Sequence, residues 1–546
     1  MAAESVTTVV SPADVGLKRE MGLIGACWAS VTSIIGSGWL FGSWKAAYST
    51  GTSALLAWVV AGIAIIVLAL IHAELGGMYP VAGGTARFPH FSFGSIAGIS
   101  FGFFSWVQAV TVAPIECFAV MQYLAYYWHG LFNTTTGEVT GIGFVMSIIL
   151  MAIFTALNFF AMRLFNKINA GITWWKIIIP VLAIIILFTH FHSTNFGAHG
   201  GFMPYGAKAF FAAIPGAGIV FAYLGFEQAD QLAGEIKDPQ RNLPRAIIIA
   251  ILMCTVIYIL LQVVFIGALN PSVLSHGWAA MKGNPALELG PLAFIAAGAG
   301  LGWWATILRV DAVISPSGTG MMYETSASRV SYGLGRNRYF PPIFTWVDKR
   351  GIPWVSLILA FLFGLLFLLP FPSWSSLVGL VSSASVLMYA GAPLSMGALR
   401  HRLPDAQRPY RLGGASVLAP FGFIVASLLI DWSGFETIWK LGIVLVIGYI
   451  LIGAWMVYDK QRPPLDWKSA TWLPVYLLGM GLISWMGNFG PDNTGRIEFW
   501  LEMGIVAAFA LGIYVWAYFT ALPKEEILNL ISRQSAEPEP TLPAAH

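Results

Sequence analysis

A chain of 546 residues that is 57% hydrophobic and only 10% charged has a mean hydropathy of +0.73. Water-soluble domains carry about 25% charged residues, so this composition excludes a soluble enzyme or nucleic-acid binder and places most of the surface against lipid. The formal charge of +3 matters less than where the charges sit.

The polar start, Met1 to Lys18, lacks the short apolar core and small-residue cleavage site of a signal peptide. Apolar runs long enough to span a bilayer then lie near 22–47, 53–79, 94–128, 142–162, 168–190, 207–234, 246–269 and 291–323. Six more follow near 354–371, 374–399, 417–433, 439–458, 471–487 and 499–520. The even count predicts about fourteen membrane helices with both termini on one side. Basic residues give an independent test, because short loops rich in Lys and Arg stay cytoplasmic. With cytoplasmic termini, 22 of the 29 Lys and Arg residues fall inside, and only Lys45, Lys208, Lys282, Lys440 and Arg496 fall outside. Lys176 and Arg309 remain within the membrane. The expected protein is an all-α, multi-pass protein of the cell membrane, with lipid as its surroundings.

Two of these runs are interrupted by glycine. Gly36-Ser37-Gly38 breaks the first, and Phe221 to Gly225 breaks the sixth. Free backbone groups at mid-bilayer depth are tolerated only beside protein, water or ligand. Paired breaks in corresponding runs are the sequence mark of a transporter site near the midplane. An unwound first helix frees amide N–H groups at Ser37 and Gly38, at the positive end of the following half-helix, for a carboxylate. Ser33 and Gly36 flank that position. Carbonyls from Phe221, Ala222 and Tyr223, beside Gly225, suit an ammonium group. Small residues also pack membrane helices against each other, so packing stays open as an alternative for each glycine.

Lys176 lies mid-helix, where a charged lysine costs several kcal/mol unless it is paired or neutralised. Burial favours the neutral amine, so a lysine here can exchange a proton; it can equally be a fixed ammonium tying helices together. Glu116 follows Pro114 deep in the third run and can gate protons, bind a cation or simply pack as a neutral acid. Glu227 and Asp230 share a helix face just after the second break, with coupling and structural hydrogen bonding both open. Glu74 and Glu235 fit salt bridges with Arg87 or loop arginines. Arg309, near Asp311, can hold a side-chain carboxylate bidentately or neutralise Glu116 or a neighbouring carboxylate without meeting substrate. Trp39, Phe221 and Tyr223 can wall an apolar pocket or form an aromatic gate. No Walker-type loop or cluster of metal ligands is present. The three cysteines, Cys27, Cys117 and Cys254, lie in apolar stretches without paired spacing. Enzyme activity, a cofactor and a metal are not expected.

The motifs also resemble a known family. Gly36-Ser37-Gly38-Trp39-Leu40-Phe41 is similar to the first-helix break of the amino acid–polyamine–organocation (APC) permeases. Glu74-Leu75 with Pro80 and Gly83-Gly84 resembles the signature after helix two. Phe221 to Glu227, then Glu235, Asp238-Pro239, Asn242 and Pro244-Arg245, resembles helix six and its following loop. Ser328-Arg329, Gly335-Arg336 and Pro341 to Pro353 resemble the loop after helix eight.

The resemblance implies a LeuT-type five-plus-five inverted repeat, and the 187 residues between Gly38 and Gly225 suit one five-helix repeat. It implies a transport core at 22–400 and four additional helices at 401–520, while the charge bias makes 1–21 a cytoplasmic segment and 521–546 a cytoplasmic tail whose Pro- and Glu-containing composition predicts disorder. The last two runs, with Ile314 to Gly320, resemble the fourteen-helix branch that includes proton-coupled aspartate symporters. A helix-five lysine in proton-coupled relatives sits near the first break in place of a sodium site, which Lys176 resembles. The implied function is secondary active amino acid transport, with H+ as coupling ion and an acidic amino acid as favoured substrate. An exchanger, a permease for neutral or cationic amino acids or polyamines, and a membrane amino acid sensor remain alternatives. Oligomeric state is not read from the sequence.

Overall fold

The computed structural model describes residues 17, 19–160, 162–197, 199–369 and 373–536. The chain runs α1 (Leu23–Ile34), α2 (Gly38–Thr50), α3 (Ala54–Met78), α4 (Gly84–Phe93), α5 (Ser95–Leu124), α6 (Gly141–Phe160) and α7 (Met162–Phe188). Next come α8 (Gly206–Gly216), α9 (Ile219–Tyr223), α10 (Gln228–Gln231), α11 (Pro239–Ala268), α12 (Pro285–Glu288), α13 (Pro291–Gly298) and α14 (Gly302–Arg336). It continues with α15 (Trp354–Leu368), α16 (Trp374–Arg402), α17 (Ala415–Trp432), α18 (Phe435–Tyr458), α19 (Trp467–Ala470), α20 (Trp472–Met486), α21 (Phe499–Thr520) and α22 (Lys524–Ala536). A two-residue hairpin, Phe132–Asn133 against Glu138–Val139, is the one sheet among the described residues.

Ten helical stretches among the described residues are long and apolar enough to cross a membrane, and α1 and α15 are shorter apolar helices. Local chemistry sets several ends. α3 stops at Tyr79, before Pro80, because a residue preceding proline is pushed out of the helical region. α11 starts on Pro239, whose missing N–H costs nothing in a first turn.

The helices sort into centre and periphery. The apolar window of α5 is wholly buried and that of α16 is 94% buried, against 28% for α6, α18 and α21. α14 packs along α5, α3 along α11, and α1 lies against α7, α11 and α14. Outer helices show bare aliphatics such as Ile185, Ile450 and Leu478, the surface expected where lipid is the solvent. All three cysteines are buried and free.

Four details depart from the sequence expectation. The run at 207–234 is interrupted twice, first at Gly218 in the left-handed region and again at 224–227. The run at 291–323 is two helices, turning at 299–301, and α14 extends to Arg336. Its 35 residues are too polar to stand as an isolated span, yet almost everything from Ser315 onward is buried by neighbouring helices. The stretch between the runs at 53–79 and 94–128 reads as a connection in sequence, but it folds as α4, a fully buried helix carrying Arg87, Pro89 and His90. Part of the tail expected to be disordered forms α22, with Ile527 and Ile531 buried; residues 537–546 lie outside the described residues.

Candidate functional site

The first break is three residues wide. α1 ends at Ile34, and α2 begins at Gly38 with Ser37 before it. Two of the loosened carbonyls of α1, those of Thr32 and Ile34, find partners from other helices. Tyr258 of α11 donates its hydroxyl to Ile34 O at 2.7 Å. Lys176 Nζ of α7 donates to Thr32 O at 2.6 Å and to Thr319 Oγ1 of α14 at 2.7 Å. Thr319 Oγ1 also donates to Thr32 O at 2.8 Å, and Thr32 and Thr173 hydroxyls are hydrogen bonded. The buried Lys176 side chain therefore pins the end of the first half-helix, as an unwound segment in a dry interior requires.

On the other side of the break, Ser37 N–H donates to Glu116 Oε2 at 2.9 Å. Glu116 Oε1 has no hydrogen-bond partner among the described residues. Both it and Thr319 flank Gly36: a Cβ there would lie 2.6 Å from Glu116 Oε1 and 2.8 Å from Thr319 Oγ1. A carboxylate thus already occupies the N-terminal end of α2, where the helix dipole is positive. Trp374, the first residue of α16, donates Nε1 to Ser37 Oγ at 2.7 Å and packs its ring on Phe41 and Phe221. Lys45 sits 4.8 Å over that same indole.

The second break lies slightly later than the sequence placed it. Phe221, Ala222 and Tyr223 belong to the single-turn helix α9; Leu224 is extended, and Gly225 turns at φ +125°. Among the described residues, the carbonyls of Ala222 and Tyr223, at the end of that turn, accept no backbone amide from beyond it. Tyr223 turns its hydroxyl away, to Trp58 O at 3.1 Å. Glu227 closes the break as a hub. Oε2 accepts from Gly225 N–H at 2.8 Å and Tyr389 OH at 2.6 Å, and Oε1 from Gln108 Nε2 at 3.0 Å and Tyr323 OH at 3.3 Å.

The two breaks touch. A Cβ on Gly38 would lie 2.6 Å from Ala222 Cα, and one on Gly225 would lie 2.6 Å from Ile34 N and Ser33 C. Ser30 Oγ donates to Phe226 O at 3.0 Å across the same contact. Ser33, Gly36, Ser37, Gly38, Phe221, Ala222, Tyr223, Gly225, Lys176, Glu116 and Glu227 therefore gather around the two interruptions. Arg309 does not join them. Its guanidinium lies 3.7 Å over the Tyr126 ring, and ten helical residues, about 15 Å at 1.5 Å per residue, separate it from Thr319. Asp311 is bonded to Trp175 and Ser315.

The model of the amino acid permease family matches residues 21–437, from just before α1 into the start of α18. The chain belongs to that family. Among curated relatives, the permease is 37% identical over 518 residues to the aspartate-proton symporter of Bacillus subtilis, covering 93% of this chain and 98% of the relative. It is 36% identical over 509 residues to the glutamate/serine transporter AimA of the same organism, covering 92% and 94%. A more distant relative is the mouse large neutral amino acids transporter small subunit 2, 27% identical over 505 residues, covering 88% and 89%.

Several residues of the permease site escaped the sequence. Thr319 lies inside the Ile314–Gly320 run, beside a glycine, and its contact with the break comes from the packing of α14 against α1. Tyr258 and Trp374 carry no local signal. They reach the first break only because α11 and α16 pack there.

Proposed function

We propose that the permease is a proton symporter for acidic amino acids, working by alternating access from a cytoplasmic membrane. It has about fourteen membrane helices, with both termini cytoplasmic. The core at 22–400 is a LeuT-type five-plus-five repeat, and 401–520 supplies four further helices. The names of the two relatives at 36–37% identity favour the substrate class and the coupling ion. The paired breaks and the bias of basic residues favour the architecture.

The observation that carries the coupling is the pair of ionisable side chains on the first break: Lys176 on Thr32 O, and Glu116 on Ser37 N–H. The substrate α-carboxylate takes the amides at Ser37 and Gly38, and its ammonium group faces the carbonyls of Ala222 and Tyr223. Glu116 holds one of those amides while ionised, so its protonation releases the donor to the substrate. Loss of the Lys176 proton weakens the hold on Thr32 O and frees α1 to move. Proton and substrate then favour each other's binding by one common factor, as linkage requires. Glu227 transmits closure to the second break through Tyr389 and Gln108. Arg309 stays outside the substrate site.

Uptake of radiolabelled L-aspartate into proteoliposomes tests this. An outside-acid gradient drives accumulation by the native protein, selectively competed by acidic amino acids, and Lys176→Ala abolishes the gradient-driven part. Accumulation in Lys176→Ala equal to native would sink the coupling role of that lysine.

A further inference from the structure

Asp311 is a buried carboxylate that the coupling just described leaves unused. Oδ1 accepts from Trp175 Nε1 at 2.7 Å and from Ser315 Oγ at 2.9 Å. Oδ2 has no hydrogen-bond partner among the described residues, and the side chain is fully buried. A carboxylate so placed is costly unless it takes up a proton or gains a partner.

Its position matters as much as its burial. Asp311, Ser315 and Thr319 recur at four-residue intervals and so line one face of α14. Lys176, the residue next to Trp175, meets the far end of that stripe at Thr319 Oγ1, and its Cε lies 3.0 Å from where a Cβ on Gly318 would stand. Toward the other end, α14 begins at Gly302, where Trp303 is 60% exposed. Asp311 is nine residues, about 13 Å, from that start, and Thr319 is about 12 Å further along. The carboxylate therefore stands between the exposed end of α14 and the buried amine. The charged and titratable groups facing it are Lys176 from α7 and Tyr123 from α5; Arg309 of α14, which also faces Tyr123, stacks on Tyr126.

We infer that Asp311 is the outer proton-transfer residue of the permease, supplying protons to Lys176 along the face of α14 that carries Ser315 and Thr319. The inference rests on the proton-coupling reading above. A proton from water at the N-terminal end of α14 lands on Oδ2 and makes Asp311 neutral. Its transfer along that face regenerates the carboxylate and converts a neutral Lys176 amine to the ammonium that holds Thr32 O and Thr319 Oγ1. When the opposite side opens, Lys176 gives that same proton to water there. No bond between heavy atoms forms or breaks.

The test compares native protein, Asp311→Asn and Asp311→Glu in proteoliposomes, with labelled L-aspartate as probe. Two readouts are taken: accumulation driven by an outside-acid gradient, and counterflow against internal aspartate without a gradient. Asp311→Asn should lose gradient-driven accumulation by about tenfold or more, within the usual range of coupling factors, while counterflow survives and Asp311→Glu recovers the drive. Native-like accumulation by Asp311→Asn across a series of outside pH values overturns the assignment and leaves the coupling reading intact. Loss of counterflow as well as drive, with no recovery in Asp311→Glu, shows a structural residue and also overturns it. If native protein itself shows no gradient-driven accumulation, both the coupling reading and the role of Asp311 fall.

Discussion

Gly225 shows how narrowly single residues are constrained at the site. Its φ of +125° is open to glycine and strained for any other residue, and a Cβ there would meet the backbone of Ile34 at 2.6 Å. Both effects act in the same direction, and neither can be relieved by turning a flexible side chain. Gly225→Ala should therefore cost at least about 2 kcal/mol, the size of a forced backbone conformation. The measurement is thermal unfolding in detergent beside aspartate uptake; a variant matching native in both would show that the break is softer than described. Gly36 and Gly38 are legible from the sequence as an interruption because a second break lies in the corresponding later run. What presses on them is not, since Glu116, Thr319 and Ala222 come from distant parts of the chain.

At the scale of elements, charged pairs tie helices that apolar packing alone would let slide. Glu74 of α3 receives Arg400 Nε at 2.8 Å and Nη2 at 2.5 Å, and Leu412 N–H at 2.7 Å, with Arg408 Nε at 3.4 Å. One carboxylate thus joins α3, the end of α16 and the loop leading to α17. Glu235 pairs with Arg329 of α14 at 2.7 Å. The sequence pointed to arginine partners for both acids, and the structure supplies them, though Arg87 is not the partner seen. Removing one charge from such a cluster should destabilise by about 2 kcal/mol, the value of a charged hydrogen bond, reduced where Arg400 meets solvent. Glu74→Gln is expected to unfold several degrees below native while keeping its selectivity for competitors; unchanged unfolding would mean the cluster is decorative. Most spans were legible within a few residues because long apolar runs are an unambiguous signal. α4 was missed for the opposite reason. Arg87, His90 and Ser92 read as a loop, and only a surrounding shell of protein makes that composition a buried helix.

For the whole molecule, the same polar-in, apolar-out sorting explains why α14 fails as an isolated span yet sits at the centre. Its polar residues face other helices, and the lipid meets α6, α18, α20 and α21 instead. Hydropathy sees only the average of those two environments, so the most informative helix of the permease is also the one it describes worst. The distribution of basic residues carries the orientation. A green fluorescent protein fused after His546 should fluoresce in bacterial cells, whereas an alkaline phosphatase fusion at the same point stays inactive. The reverse pattern would invert the arrangement proposed for both termini.

The contact between Gly38 and Ala222 has a kinetic meaning. Because the two interruptions meet backbone to backbone, no ligand can enter between them at that point until the half-helices part. Arrival is then governed by how often the protein opens, and the observed binding rate levels off as ligand becomes abundant, instead of rising in proportion to it. Every substrate bears the same opening cost, which lowers all affinities by a common fraction. Discrimination between amino acids rests on what each one does to hold the parted half-helices in place.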